Sequence, residues 1–205
     1  RALGHRSILA DPTYERMKDV LNGRVKFREA YRPFAPVIPL ERARDVFDLK
    51  TESPYMLLVA DIHPEMHAVV PSITHHDGTG RVQTCTAQAN PFFHGVCLGL
   101  EERRGGPPVL LNTSFNVAGQ PIVESPEEAI RTFLKTDIDH LSIDNWWLRK
   151  QDTAVRDYED HLHLVKESKM PAGVDVDLPS MKPLMDSLDA ALFGQANDGA
   201  WAEAD

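Results

Sequence analysis

The chain has 205 residues, of which 42% are hydrophobic and 26% are charged, and it carries a formal net charge of −9. This composition is typical of a globular protein, and the acidic balance argues against broad nucleic-acid binding. Two cysteines do not make a disulfide framework, no apolar run reaches the length of a membrane span, and the first residues are not a signal peptide. We therefore expect a cytoplasmic protein with neither membrane nor nucleic-acid partners.

Charge is unevenly distributed along the chain. The segment 171–205 contains seven acidic residues and one lysine, so it accounts for −6 of the net charge of −9. Its prolines and glycines also interrupt regular patterns. We therefore predict a folded body over residues 1–170 and an acidic, loosely held tail over residues 171–205. Short helices are predicted over residues 157–166 and 184–193.

The first predicted elements surround a group of basic residues. Asp11-Pro12 favours a helix start and Asn22-Gly23 a helix end, which together predict a helix over residues 12–22. Alternating apolar and basic side chains predict a short strand over residues 25–27, and the prolines after it predict an extended loop over residues 32–39. The basic residues and the aromatic ones among them form either a solvated face or a phosphate site.

Patterns in the middle of the chain predict five further elements. They indicate a short helix over residues 41–49, strands over residues 55–62 and 67–73, and a helix that begins after Asn90 and ends near Arg104. The fifth element is a strand that follows a turn at Asp77-Gly78 and presents Arg81 and Gln83 on one face. This turn is either a hairpin tip with surface charges or a substrate loop in which Arg81 binds an anion.

A short apolar run, residues 109–111, predicts a buried strand, and hydroxyl and amide side chains follow it at once. These side chains either bond their own backbone or bind a ligand at the end of the strand. Ser125 begins a capping box for a helix that runs to about Lys135, and a strand is predicted over residues 141–148. The mixed order of elements predicts an α/β or α+β fold with a twisted central sheet and flanking helices.

Four separated patches, residues 1–12, 26–36, 76–84 and 111–116, agree in order and residue type with one family. They resemble the C-terminal domain of the O-carbamoyltransferases, a family that includes the nodulation protein NodU and enzymes that carbamoylate cephem, tobramycin and ansamycin antibiotics. Within the matching region, Gln120 stands where the family has Glu, and Cys85 stands where it has an aliphatic residue. Neither departure touches a candidate phosphate ligand.

The resemblance implies a YrdC-like fold and an enzyme of secondary metabolite biosynthesis. A domain of this kind converts carbamoyl phosphate and ATP, with Mg²⁺, to carbamoyl adenylate. A preceding actin-like ATPase-type domain, which holds iron or another metal, then passes the carbamoyl group to a substrate hydroxyl. The chain does not begin with Met, which fits our expectation that this other domain precedes it.

The resemblance also implies which residues form the site. Lys26 and Arg32 match a pair that holds phosphates, Arg81 matches a cation near the carbamoyl and α-phosphate groups, and Ser114 and Asn116 form a Ser-x-Asn element. Thr113 lies beside that element, and the weaker matches are Arg28, Arg1, His76 and Asn112. Fixed positive charge of this kind suits adenylate formation, in which charge builds on phosphoryl oxygens.

Two other functions stay open at this point. YrdC-like domains also bind nucleotides or RNA, so the basic residues near Lys26 could contact a nucleic-acid backbone. The chain could also be a docking module that has no catalysis of its own and serves the preceding domain.

Overall fold

The computed structural model describes residues 2–144 and 146–150. The chain divides into two compact units, Arg1–Ile122 and Val123–Asp205. The predicted division at residue 170 and the helices predicted over residues 157–166 and 184–193 lie outside the described residues.

The first unit is built on a five-stranded mixed sheet, with the strand order β1-β5-β2-β4-β3. Its strands are β1 (Ser7–Ala10), β2 (Ala35–Pro39), β3 (Leu58–Asp61), β4 (Thr79–Cys85) and β5 (Leu110–Ser114). Neighbouring strands run antiparallel except for β2 and β4, which are parallel. The predicted α/β class with a central sheet is therefore confirmed.

Helices and tighter turns connect these strands. The helices of the first unit are α1 (Met17–Val20), which continues into a π-helical turn (Leu21–Lys26), and α2 (Pro91–Arg104). Two 3₁₀ turns cover Leu40–Asp45 and Pro64–Met66. The predicted start of α2 is confirmed, because the Asn90 side chain accepts a hydrogen bond from the Phe93 backbone N–H and caps the helix.

Helix α2 packs on one face of the sheet, which we call the α2 face. Phe93 and Cys97 of the helix form a buried cluster with Val37, Cys85 and Leu110 of three strands. Side chains alternate between the faces of a sheet, so residues that differ by two along β4 and β5 share this face. On the opposite face Gly80 lies against other buried side chains, and a Cβ there would meet the rings and methyl groups of Ile62 and Phe47 within 3.3 Å.

The second unit contains α3 (Pro126–Lys135) and a hairpin of β6 (His140–Ile143) and β7 (Trp146–Arg149). The predicted capping residue is confirmed, since the Ser125 hydroxyl oxygen accepts a hydrogen bond from the Glu128 backbone N–H at 3.2 Å. At the other end of α3 the Lys150 ammonium donates to the carbonyl oxygens of Phe133 and Leu134. Both ends of the helix therefore have polar partners.

Several predicted elements are wrong, each for a local reason. The strand predicted over residues 25–27 does not form, because the π-helical turn continues through Lys26 and Phe27 then adopts a left-handed conformation with φ of 49°. The strand predicted over residues 141–148 is a hairpin, because Asp144, with φ of 50°, reverses the chain between β6 and β7.

Two further corrections concern short apolar segments. The helix predicted over residues 12–22 is regular only over Met17–Val20 before it widens into the π-helical turn. Residues 67–73 form turns rather than a strand. In that segment Val70 and Ile73, which are three residues apart, are both fully buried, a spacing typical of a turn. No helix in the described part of the chain combines the length and apolarity needed to cross a membrane.

Candidate functional site

Lys26, at the end of the π-helical turn, reaches the end of β5. Its ammonium donates to the carbonyl oxygens of Ser114 at 2.7 Å and Asn116 at 2.8 Å, and to Asn116 Oδ1 at 2.7 Å. Ser114 Oγ lies 3.3 Å away. An ammonium has three hydrogens, so the three short contacts use all of them. The structure therefore joins two predicted patches that are 88 residues apart in the chain.

Burial changes the acid–base chemistry of Lys26. The residue is only 3% exposed. Burial lowers the pKa of Lys26 to about 8, and the positive charges of Arg28 and Arg32 add to this effect. Desolvation and like charge both disfavour the protonated form. The surrounding oxygens still suit an ammonium, because each of them is an acceptor.

The Ser-x-Asn element forms a compact turn after β5. The Ser114 hydroxyl donates to Asn116 Oδ1 at 2.6 Å, and Asn116 Nδ2 donates to the Gln120 carbonyl at 2.8 Å. The Ala118 backbone N–H donates to the Lys26 carbonyl oxygen at 3.0 Å. Lys26 and this turn therefore hold each other in place through both backbone and side chain.

Arg28 and Arg32 lie on the loop that follows the π-helical turn. Arg28 Nε donates to Asn22 Oδ1 at 2.7 Å, and its guanidinium lies 4.6 Å from the centroid of the Phe34 ring. Arg32 is more exposed and forms a 3.7 Å ion pair with Glu29. An exposed ion pair of this length adds little stability, so Arg32 is available to an anionic ligand.

Arg81 extends from β4 on the α2 face and is exposed. Burial lowers the pKa of Arg28 and that of His75, and the positive charge of Arg81 is a smaller cause in the same direction for both. Arg28 in turn lowers the pKa of Lys26. The charges of Arg81 and Arg32 act on Arg28, and those of Arg28 and Arg32 act on Lys26, so the four cations belong to one positively charged region of the first unit.

A pair of buried amides continues the α2 face next to this region. Asn112, on β5, donates from Nδ2 to Gln83 Oε1 at 2.6 Å, and Gln83 Nε2 donates to the Leu3 carbonyl at 3.4 Å. The Leu3 oxygen can only accept, so it fixes the orientation of both amides. Among the described residues Asn112 Oδ1 has no hydrogen-bond partner.

The structure does not bring every predicted site residue to this region. The side chain of Thr113 points to the sheet face opposite Ser114, because neighbours in a strand alternate. His76 is exposed in the turn before β4, and Arg1 lies outside the described residues. The described residues contain no group of three or more His, Cys, Asp or Glu side chains that could hold a metal.

Sequence reasoning missed two side chains that organise the site, Asn22 and Gln83. Asn22 was interpreted only as the end of a helix, and Gln83 only as a neighbour of Arg81 on one strand face. The available signal was a polar side chain within an otherwise apolar pattern, because such a residue is buried only with partners.

Comparisons with known proteins show the family to which the chain belongs. The model of the family described as "Carbamoyltransferase C-terminus" matches residues 1–150. Nodulation protein NolO of Bradyrhizobium diazoefficiens is 43% identical over 161 residues, which cover 77% of this chain and 29% of the relative. The 3'-hydroxymethylcephem-O-carbamoyltransferase of Streptomyces clavuligerus is 36% identical over 150 residues, which cover 73% of this chain and 28% of the relative. The chain thus spans less than a third of the length of these relatives.

Proposed function

Because this chain belongs to the carbamoyltransferase C-terminus family, we propose that it forms carbamoyl adenylate from carbamoyl phosphate and ATP within an O-carbamoyltransferase. The resulting carbamoyl group would pass to a hydroxyl of an acceptor on a second, actin-like ATPase-type domain. The cephem relative is named for such a transfer. We also propose that the fold is YrdC-like.

One observation carries the proposal, namely the meeting of Lys26 with Ser114 and Asn116 beside Arg28 and Arg32. Several cations near a turn of neutral hydroxyl and amide groups suit a ligand that carries many phosphoryl oxygens. Glu29 is the one acid paired with a cation of this group among the described residues, and that ion pair is long and exposed. The region therefore keeps most of its positive charge for a ligand.

The proposed reaction balances with water as a third reactant. Water cleaves carbamoyl phosphate to carbamate and phosphate, and a carbamate oxygen then bonds to the α-phosphorus of ATP while the bond to pyrophosphate breaks. Negative charge develops on the phosphoryl oxygens, where fixed cations stabilise it. Arg28, Arg32 and Arg81 would supply most direct contacts, because the three hydrogens of Lys26 already have acceptors.

Magnesium would enter with the nucleotide. Mg²⁺ in such sites is often held by substrate phosphates and water rather than by a cage of protein ligands. In this proposal Arg28, Arg32 and Arg81 hold those phosphates, and the described residues contain no group of three or more His, Cys, Asp or Glu side chains that could hold a metal.

Product analysis tests the proposal directly. The 205-residue chain would be mixed with ATP, Mg²⁺ and carbamoyl phosphate, and phosphate and pyrophosphate would be measured separately. We expect pyrophosphate only when carbamoyl phosphate is present, and ATP binding at millimolar concentration. An exposed-cation variant on α2, Arg103→Ala, should behave like the original chain. Absence of both nucleotide binding and pyrophosphate release would reject the proposal.

A further inference from the structure

Asn22 is a buried polar residue at the start of the π-helical turn, and all its side-chain atoms have partners. It is fully buried. Its Nδ2 group donates to the carbonyl oxygens of Ala30 at 3.2 Å and Arg32 at 3.1 Å. Its Oδ1 atom accepts the 2.7 Å hydrogen bond from Arg28 Nε. One amide therefore contacts the loop at three points.

The orientation of the Asn22 amide is determined by its partners. The Ala30 and Arg32 carbonyl oxygens can only accept, and Arg28 Nε can only donate. Exchanging the nitrogen and oxygen of the amide would place its oxygen against the two carbonyl oxygens and its NH₂ group against the Arg28 Nε–H group. The amide therefore has one arrangement in which every contact is a hydrogen bond.

The backbone of Asn22 holds the same loop. Its carbonyl oxygen accepts hydrogen bonds from the backbone N–H groups of Phe27 and Arg28, the latter at 3.0 Å. Phe27 between them has a left-handed φ of 49°, a conformation that costs free energy and persists only when its surroundings hold it. Asn22 is part of those surroundings.

The π-helical turn places Asn22 and Lys26 near one another, since it completes a turn in slightly more than four residues. Asn22 holds the loop that carries Arg28 and Arg32, whereas Lys26 holds the turn at the end of β5. One short segment therefore fixes two sets of candidate ligand groups.

We propose that Asn22 is a positioning residue, which fixes the Arg28 guanidinium and the Arg32 backbone for phosphate binding. The choice of ATP as the ligand rests on the proposed function, whereas the hydrogen bonds of Asn22 do not depend on it. Asn22 has no exposed surface, so it acts on a ligand through Arg28 rather than by contact. Correct placement of a charged group is worth about tenfold or more in the affinity for its partner.

A double-mutant cycle on ATP affinity is the main test. We expect Asn22→Ala to weaken ATP binding about tenfold and Arg28→Ala to weaken it at least as much. The double variant should bind ATP within about threefold of Arg28→Ala, because Asn22 then has no side chain left to position. Effects that multiply in the double variant would overturn the proposal. Asn22→Ser, which lacks the two-sided amide, provides the same cycle if Asn22→Ala does not fold.

A matched control separates positioning from general loss of stability. Asn90→Ala removes another asparagine side-chain hydrogen bond of the same unit, at the start of α2. It should lower stability while leaving ATP affinity and its dependence on Arg28 unchanged. Equal weakening of ATP binding by the two asparagine variants would show that stability alone is responsible, and would overturn the proposal.

The Nε–H proton of Arg28 gives a readout that needs no nucleotide. Its hydrogen exchange, followed by NMR, should be slow in the original chain and in Asn90→Ala, and fast in Asn22→Ala. Fast exchange in the original chain, or no change in Asn22→Ala, would overturn the inference. If the chain does not bind ATP but the exchange pattern is as expected, then the proposed function fails while the structural role of Asn22 stands.

Discussion

The two ends of the α2 face differ in what their side chains do. At one end, Phe93 and Cys97 pack against Val37, Cys85 and Leu110 in an apolar cluster. At the other end the same strands present cationic and neutral polar side chains: Arg81, Gln83, Asn112 and Ser114. Residues only two positions apart, such as Cys85 and Gln83 on β4 or Leu110 and Asn112 on β5, therefore belong to a stabilising region and to a candidate binding region. The comparison predicts that substitutions at the first end change stability and substitutions at the second change ligand binding.

The largest expected effect is on stability, at the apolar end. Phe93→Ala should lower the free energy of unfolding by about 3–5 kcal/mol, because it removes a buried aromatic ring and leaves a cavity. Chemical denaturation monitored by circular dichroism measures this loss. ATP affinity, measured where the variant is still folded, should remain close to that of the original chain. A variant of full stability with weakened ATP binding would break the comparison.

The next effect is on catalysis, at the polar end. Lys26→Met keeps most of the length of the side chain but removes the ammonium that joins Ser114 and Asn116. We expect pyrophosphate release to fall by about 100-fold or more, because the turn that carries Ser114 and Asn116 loses the group that holds it and the site loses a fixed positive charge. Lys50→Met, at an exposed position, is the control and should retain activity. Retained activity in Lys26→Met would remove Lys26 from the site.

Arg81→Ala sharpens the comparison, because Arg81 is exposed and lies at the polar end. Stability should change by no more than about 0.5 kcal/mol, as for surface substitutions in general. Pyrophosphate release should fall by about tenfold or more, since a charge-assisted contact to phosphate is lost. Thermal unfolding and the pyrophosphate assay on one preparation would test both parts. Loss of stability with unchanged activity is the contrary result.

The smallest effect is a pH dependence. The pKa of Lys26 is lowered from 10.5 to about 8, so its positive charge is present below about pH 8 and is lost as the pH rises through that value. ATP affinity should therefore decline by a few-fold above about pH 8. The decline should be absent in Lys26→Met, and titration calorimetry at pH 7 and pH 9 would measure it. An equal decline in both proteins would assign it to another group.

The lowered pKa of Lys26 gives folding stability a pH dependence opposite to that of ATP affinity. Between about pH 8 and pH 10.5, Lys26 is protonated in the unfolded chain and neutral in the folded chain. The contribution of Lys26 to the free energy of unfolding therefore rises with pH over that range. Ligand binding and folding therefore place different demands on one ammonium.

Local signals predicted much of the fold correctly. Asn90 and Ser125 cap helices as their sequence contexts indicate, and the apolar run before Asn112 belongs to a buried interior strand. Two of the failures occurred where single residues adopt left-handed conformations, at Phe27 and Asp144. Phe gives no signal for such a conformation, and Asp is enriched in it without requiring it.

The candidate site was only partly accessible from sequence. The resemblance indicated Lys26, Arg81 and Ser114, and the structure places Lys26 directly on Ser114. Sequence spacing could not reveal the pair of Gln83 and Asn112, because these residues lie on different strands, and it did not indicate that Asn22 holds the loop that follows it. Long-range hydrogen bonds depend on strand order and register, which periodicity does not encode.

The pairing of β1 with β5 has a kinetic consequence. Ser7 lies opposite Ser114, so the first strand of the sheet completes its hydrogen bonds only after most of the first unit has been synthesised. Contacts between such distant parts of the chain form slowly, because the entropy of closing the intervening loop is lost before they stabilise the fold. A nascent chain that ends before β5 cannot assemble the polar end of the α2 face, so ligand binding during translation would report near-complete synthesis of this unit.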